Sequence, residues 1–276
     1  MKNILVPIDF SDASFNAISY AAFLANAFDS YILLVHVYSG TSAFEKQNGS
    51  IVYESGRELE EANEKFLEKE IDEIARKFTV KIKGIVRKGN PVNIITEVAK
   101  KNHSDLIIMG MKGKGESNSI FGSTTTAMID KTYIPLLVVP KKASYKNIDA
   151  ITLASDFKDE QLLFHFKLLE QFITKFNPFI HILNVQKKTS NLTAEMIAGK
   201  MGTGLTWDKY NHSFNIVEKD DIEEGISKFL EKHPTDLLVM VARKHNFIKK
   251  AFGISHTKKM TLHTKSPLLV LHELTN

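Results

Sequence analysis

Short, uninterrupted apolar runs alternate along this chain with longer stretches whose apolar residues recur at a helical spacing. The first run, Ile4-Leu5-Val6-Pro7-Ile8, stops at Asp9 and Phe10; Leu34 to Val37, Leu106 to Met109 and Leu136 to Val139 are further examples. Runs this short that are apolar on successive residues predict strands buried on both faces. Between them, Phe15, Ile18, Ala22 and Ala25, and later Phe66, Leu67, Ile71, Ile74 and Phe78, keep a period of about 3.6 residues and predict helices. Ser11 stands where the first helix needs an N-cap, and Asp12 suits the positive end of its dipole.

The plan is used twice. Ile4 to Phe10 is echoed by Ile151 to Phe157, each ending in Asp-Phe, and Leu34-Val35-His36-Val37 by Ile182-Leu183-Asn184-Val185. Ser104-Asp105-Leu106-Ile107-Ile108-Met109 then returns as Thr235-Asp236-Leu237-Leu238-Val239-Met240, and Ile134-Pro135-Leu136-Leu137-Val138-Val139 as Ser266-Pro267-Leu268-Leu269-Val270-Leu271. Echoes in the same order mark a duplicated domain. Each copy is expected to be an α/β unit, an open five-stranded parallel sheet with helices on both faces. The division is expected at 1–142 and 143–276. The third strand of each copy, Val80 to Val86 and Phe214 to Val217, is less apolar and is expected at an edge. Residues 38–56 and 186–212 have little periodicity and read as long connections or mobile lids.

Composition narrows the function classes. There is no cysteine among the 276 residues, which excludes disulfide frameworks and thiolate chemistry. A formal charge of +4, with acidic and basic residues interleaved, does not call for a nucleic-acid partner. No apolar run approaches the roughly 20 residues that span a bilayer, and the first one is too short for a signal-peptide core. A soluble, cytoplasmic protein with no membrane partner is expected. None of the ten histidines falls in a close metal-ligand spacing, so no metal cage is expected, and His36 reads as a core or pocket-wall residue with one hydrogen-bonded nitrogen.

The candidate chemistry lies after the fourth strand of the first copy. There the chain reads Met109-Gly110-Met111-Lys112-Gly113-Lys114-Gly115-Glu116-Ser117, and then Phe121-Gly122-Ser123-Thr124-Thr125. Glycine lets backbone N–H groups converge on a phosphate, and a helix N-terminus adds unpaired donors and a partial positive charge. Lys112 supplies a cation, and Asp9 would face the loop across the crevice beyond the strand ends. A P-loop is excluded because Glu116 occupies the lysine position, and no G-x-G-x-x-G follows the first strand.

Gly110-x-x-Gly113, eight residues, then Gly122-Ser123, together with Pro7-Ile8-Asp9-Phe10-Ser11, resembles the universal stress protein family in its tandem, two-domain form. Nucleotide-binding members carry nine residues where this chain has eight. The resemblance implies strand order 3-2-1-4-5 in each half, the adenine nucleotide alpha hydrolase-like arrangement. It also implies ATP, or AMP or ADP, across the crevice, with Mg2+ a candidate companion. Carried over, Asp9 and the backbone of Val37 would contact adenine or ribose, and Gly110 the ribose. Lys112, Gly113, Gly122, Ser123 and Thr124 would hold the phosphates, with Pro7 and Met109 lining the pocket. Such domains commonly pair through their fifth strands, so Pro135 to Val139 and Pro267 to Leu271 are expected contacts, and a homodimer of the whole chain is expected beyond that.

In the second copy Val241 replaces Gly110, Lys244 replaces Gly113 and Ile254 replaces Ser123, so that half is expected to bind no nucleotide. Its basic residues, Arg243, Lys244, Lys249, Lys250, Lys258 and Lys259, read as a solvated surface. No dedicated catalytic constellation is visible. The expected function is a stress-response regulator whose nucleotide occupancy alters a surface seen by a protein partner. An interaction module without nucleotide and a slow ATPase are the rivals.

Overall fold

The computed structural model describes residues 1–39, 42–45, 51–54, 57–111, 123–154, 167–186, 209–242 and 266–272. The first half runs β1 (Asn3–Ile8), α1 (Asp12–Phe28), β2 (Tyr31–Tyr38), β3 (Ser42–Glu45), β4 (Ile51–Glu54), α2 (Arg57–Lys77), β5 (Lys81–Lys88), α3 (Pro91–Lys101), β6 (Leu106–Met111), α4 (Ser123–Lys131) and β7 (Leu136–Pro140). The second runs β8 (Ala150–Ala154), α5 (Lys167–Phe176), β9 (Phe179–Gln186), β10 (His212–Glu218), α6 (Ile222–Lys232), β11 (Leu237–Ala242) and β12 (Leu268–His272).

All strands except β3 and β4 join one ten-stranded sheet in the order β10-β9-β8-β11-β12-β7-β6-β1-β2-β5. Within each half the order is third, second, first, fourth, fifth, and every pairing is parallel. The two fifth strands meet antiparallel, with Leu268 opposite Val138, Leu269 opposite Leu137 and Val270 opposite Leu136. The third strands, β5 and β10, are the two outermost strands of the sheet among the described residues. Residues 38–56, read from sequence as a connection, contain the antiparallel pair β3–β4. Four-residue strands that pair with each other leave too short a run for periodicity to register.

Both faces are covered because successive strand residues point opposite ways. Ile4, Val6 and Ile8 of β1 pack with α1, α2 and α5 on one face, while Leu5, Val35 and Met109 pack with α3, α4 and α6 on the other. Ser11 caps α1 as the sequence indicates, its hydroxyl accepting from Ser14 N–H at 3.3 Å. Asn90 does the same for α3, followed at once by Pro91, whose fixed φ suits a first helical turn.

The duplicated Ser/Thr-Asp has a physical role. Asp105 Oδ2 accepts the backbone N–H groups of Lys2 and Asn3 at 2.6 and 3.0 Å, and Asp236 Oδ2 those of Asp149 and Ala150 at 2.9 Å each. In each half a carboxylate at the start of the fourth strand therefore ties down the start of the first. Lys146 adds an ion pair to Asp236 at 2.6 Å, which raises the lysine's pKa.

The halves also meet through α1 and α5. Phe23 stacks on Phe176 with ring centroids 6.0 Å apart, Phe28 lies 5.4 Å from Phe172, and Tyr145 closes on Phe23 at 6.4 Å. Asn16 Nδ2 donates to the carbonyls of Pro140 and Ala143, fixing the chain as it leaves β7. Such aromatic pairs add about 0.5–1.5 kcal/mol each beyond simple burial. On the opposite face His272 reaches from β12 to the first half, its Nε2 donating to Ile129 carbonyl at 2.8 Å near the end of α4. Its Nδ1 is buried and has no partner among the described residues.

Two outcomes follow for stability. Phe172 is fully buried, and Phe172→Ala should destabilise the chain by about 3–5 kcal/mol in urea titrations, with both halves lost in one transition because one core cluster spans them. Burial pushes the pKa of His272 below its ordinary value of 6.5, and burial, then His233, does the same for His181. A lowered folded-state pKa means that the unfolded chain takes up protons first. Stability should be retained above pH 6.5 and decline as pH falls through the folded values. His272→Gln should give a shallower acid limb in thermal melts from pH 8 to about 5.

Candidate functional site

The crevice forms where strand order reverses, beside β1, which lies between β2 and β6. At the carboxyl ends of these three parallel strands the structure gathers Pro7, Asp9, Val37, Met109 and Gly110. Pro7 and Asp9 share the parity of Leu5, and Val37 and Met109 belong to the same core face, the one that α4 covers through Met128 and Ile129. Met109 is buried, Pro7 and Val37 are half-buried and Asp9 is exposed. Ser123 opens α4, and Thr124 behind it is half-buried. Lys112, Gly113 and Gly122 lie outside the described residues.

The turn from β1 into α1 is tightly specified. Asp9 Oδ1 accepts from Ser11 N–H at 3.1 Å and from Ser11 Oγ at 2.5 Å, while Ser14 Oγ donates to Ser11 carbonyl at 2.8 Å. Phe10 between them adopts φ 59°, a left-handed backbone that is unusual for an aromatic residue. Strain of about 1–3 kcal/mol at such a position persists only where surrounding contacts hold it. Here the Phe10 ring packs on His36 at 4.6 Å and on Phe66 at 6.3 Å.

His36 is tied at both nitrogens, a correction to the single bond expected. Nδ1 meets Ile8 carbonyl at 2.9 Å and Nε2 meets Asn63 Oδ1 at 3.1 Å; Asn63 is itself fixed by donating to Leu59 carbonyl at 2.8 Å. His36 thereby fastens α2 to the end of β1 directly behind the Asp9 turn. In sequence Phe10 reads only as the end of the first repeat, Phe66 only as a helix-face residue and Asn63 carries no signal, since nothing in local spacing brings a β1 turn, a β2 histidine and an α2 asparagine together.

Gly110 has a packing role of its own. A Cβ there would lie 2.1 Å from Ala13 carbonyl oxygen and 2.9 Å from Ser14 nitrogen, so the first turn of α1 rests directly on β6. Its missing side chain faces α1, opposite to Pro7, Val37 and Met109. Any contact of Gly110 with a ligand would therefore be made by backbone. Val241, at the matching place in β11, is buried in the core face that corresponds to that of Gly110. Its side chain fills core where Gly110 has none. The basic residues from Arg243 to Lys259, and Phe252-Gly253, lie outside the described residues. Among the described residues no group of three or more His, Asp or Glu could hold a metal ion.

A family model, the universal stress protein family, matches residues 1–140. The chain belongs to the universal stress protein family. A universal stress protein of Methanocaldococcus jannaschii is 34% identical over 143 residues, which is 51% of this chain and 82% of that relative. Solved structures resemble the chain over its whole length. A universal stress protein from Archaeoglobus fulgidus superposes with TM-score 0.71 at 17% identity, covering 98% of both chains. One from Pseudomonas aeruginosa superposes with TM-score 0.62 at 14% identity, covering 99% of this chain and 93% of the other. At those identities the likeness speaks for the fold, and it extends the tandem architecture through the second half. No helix among the described residues is long and apolar enough to cross a membrane.

Two substitutions separate packing from ligand contact at this universal stress protein's crevice. Gly110→Ala should lower stability by about 1–3 kcal/mol or more, even without nucleotide, because its Cβ meets rigid backbone. Ser11→Ala should cost about 1 kcal/mol by uncapping α1. Both are read as shifts in the urea midpoint.

Proposed function

We propose that this chain is a cytoplasmic stress-response regulator that binds ATP, or AMP or ADP, in residues 1–142, and that residues 143–276 form a degenerate partner domain without nucleotide. The observation that carries this reading is the convergence of Pro7, Asp9, Val37 and Met109 on one face of the sheet at the strand-order reversal, with α4 packed on that face through Met128 and Ile129. Adenine and ribose would lie against these residues. The polyphosphate would take the glycine loop, with Lys112, Gly113, Gly122, Ser123 and Thr124 as its contacts and Mg2+ as its counter-ion. Backbone donors at the start of α4 suit an anion without further charge.

The strained Phe10 turn supports the same reading. Asp9 is presented at the crevice by a backbone conformation that the neighbouring His36 and Phe66 rings sustain, as expected where a side chain is being aimed. Binding would tighten α4 against β6 and β7, and β7 is paired with the second half. Occupancy is thereby linked to the seam, a route by which a nucleotide alters a surface offered to a protein partner. A homodimer of the whole chain would use a surface other than the fifth strands, since these already face each other.

The test is direct. Protein purified intact and then denatured should release an adenine nucleotide, identified by chromatography, in up to one equivalent per chain. Gly113→Val should abolish the release with an unchanged melting curve. No nucleotide in the wild type, and none taken up on titration with ATP, would instead favour the interaction module. Accumulation of ADP with time in proportion to enzyme would favour the slow ATPase.

A further inference from the structure

The two outer edges of the sheet, unpaired among the described residues, are not alike. On β5, Lys81, Lys83, Arg87 and Lys88 are exposed, and α2 closes on the strand at Gly84, where a Cβ would lie 2.7 Å from Leu67 and Ile71 side-chain carbons. Charges of this kind keep a strand edge from recruiting another chain. The opposite edge, β10, reads His212-Ser213-Phe214-Asn215-Ile216-Val217-Glu218 and has no lysine or arginine within it.

The register with β9 fixes which backbone groups of β10 point outward. Ile180 N–H donates to Asn211 carbonyl, and Lys219 N–H donates to Gln186 carbonyl, at the two ends of the parallel ladder. Alternation between those ends turns the N–H groups of Ser213, Asn215 and Val217 toward β9. Phe214, Ile216 and Glu218 therefore carry both N–H and C=O on the outer side, and no strand pairs with them among the described residues.

A groove of about 490 Å3 runs along this edge, lined by residues 214–219 of the chain and by Lys228, Phe229, Lys232 and His233 beside it. Neighbouring strand residues point to opposite faces, so a cavity that touches every one of them borders the strand's outer edge and not one face. On the α6 face its charged residues are basic, while Glu218, the one acid in the lining, shares the parity of Phe214 and Ile216 and belongs to the opposite face. Lys228 and Lys232 are one helical turn apart on α6 and exposed, and neither forms an ion pair among the described residues; Lys219 is held by Glu224 at 2.5 Å.

We propose that the outer edge of β10 is a docking site for an extended, acidic segment of another protein, which adds as an eleventh strand to the ten-stranded sheet. Main-chain bonds come from Phe214, Ile216 and Glu218, and acidic side chains of the guest on the α6 face meet Lys228 and Lys232. Charge decides the occupant. A second copy of this chain laid edge to edge would bring its own Lys228 and Lys232, unpaired among the described residues, toward these and be repelled, whereas an acidic strand is attracted. The site lies at the far end of the sheet from the crevice and does not depend on nucleotide.

The test uses the full chain and a fluorescein-labelled peptide of about ten residues alternating valine and glutamate, with a valine–lysine peptide as control. Fluorescence anisotropy should show saturable binding of the acidic peptide alone, weakened about tenfold by raising salt to about 0.5 M. Lys228→Glu with Lys232→Glu, both on an exposed helix face, should weaken it by about tenfold or more. Ile216→Pro removes an outward N–H without cutting the ladder to β9 and should abolish binding; Glu218→Pro does the same at an exposed position if the first variant melts early. No saturable signal, equal binding of the lysine peptide, or full affinity in the double glutamate variant would overturn the proposal. So would a concentration-dependent dimer in sedimentation that Ile216→Pro abolishes, which would assign the edge to a second copy.

Discussion

The antiparallel meeting of β7 and β12 is the constraint on which the remaining architecture hangs. Fifth strands whose residues are apolar in succession are unsuited to water on either face, and each half alone would leave one such strand as an edge. Pairing Leu136, Leu137 and Val138 with Val270, Leu269 and Leu268 removes both edges at once and makes one sheet of ten strands. It also brings α1 and α5 together over one face, where the phenylalanines interleave, and brings His272 beneath α4 on the other.

Once the fifth strands are joined, the third strands are the two ends of the sheet among the described residues. The halves have treated these ends differently: β5 is defended by lysines and arginine and covered by α2, while β10 carries no lysine or arginine and is bordered on its α6 face by Lys228 and Lys232. The same divergence is seen at the crevice. Gly110 lets α1 settle on β6, and Val241 fills the corresponding place with a side chain. Duplication supplied two equal frames, and a few side chains have since given each a separate surface.

Much of the frame is legible in the primary structure because it rests on local rules. Apolar runs of strand length, helical spacing between them and an ordered series of echoes are enough to infer two five-stranded halves, their edge strands and the Ser11 cap. The Asp105 and Asp236 echo is visible as a repeat, although its meaning, a carboxylate gripping the first strand's N–H groups, needs the β1–β6 and β8–β11 neighbours in place. The β3–β4 pair is not legible in sequence because two four-residue strands stabilise each other and neither carries a periodic signal.

At the crevice, glycine in the sequence signals only that a side chain is excluded, not what excludes it. The chain by itself determined the duplicated plan, the strand order its family resemblance implies and the set of residues that end β1, β2 and β6. Only the tertiary structure decided that Gly110 yields to the α1 backbone, that His36 is bound at both nitrogens and that Phe10 is held in a left-handed turn. Those outcomes depend on atoms brought within a few ångströms by strand pairing and helix packing, between residues that a linear pattern keeps far apart.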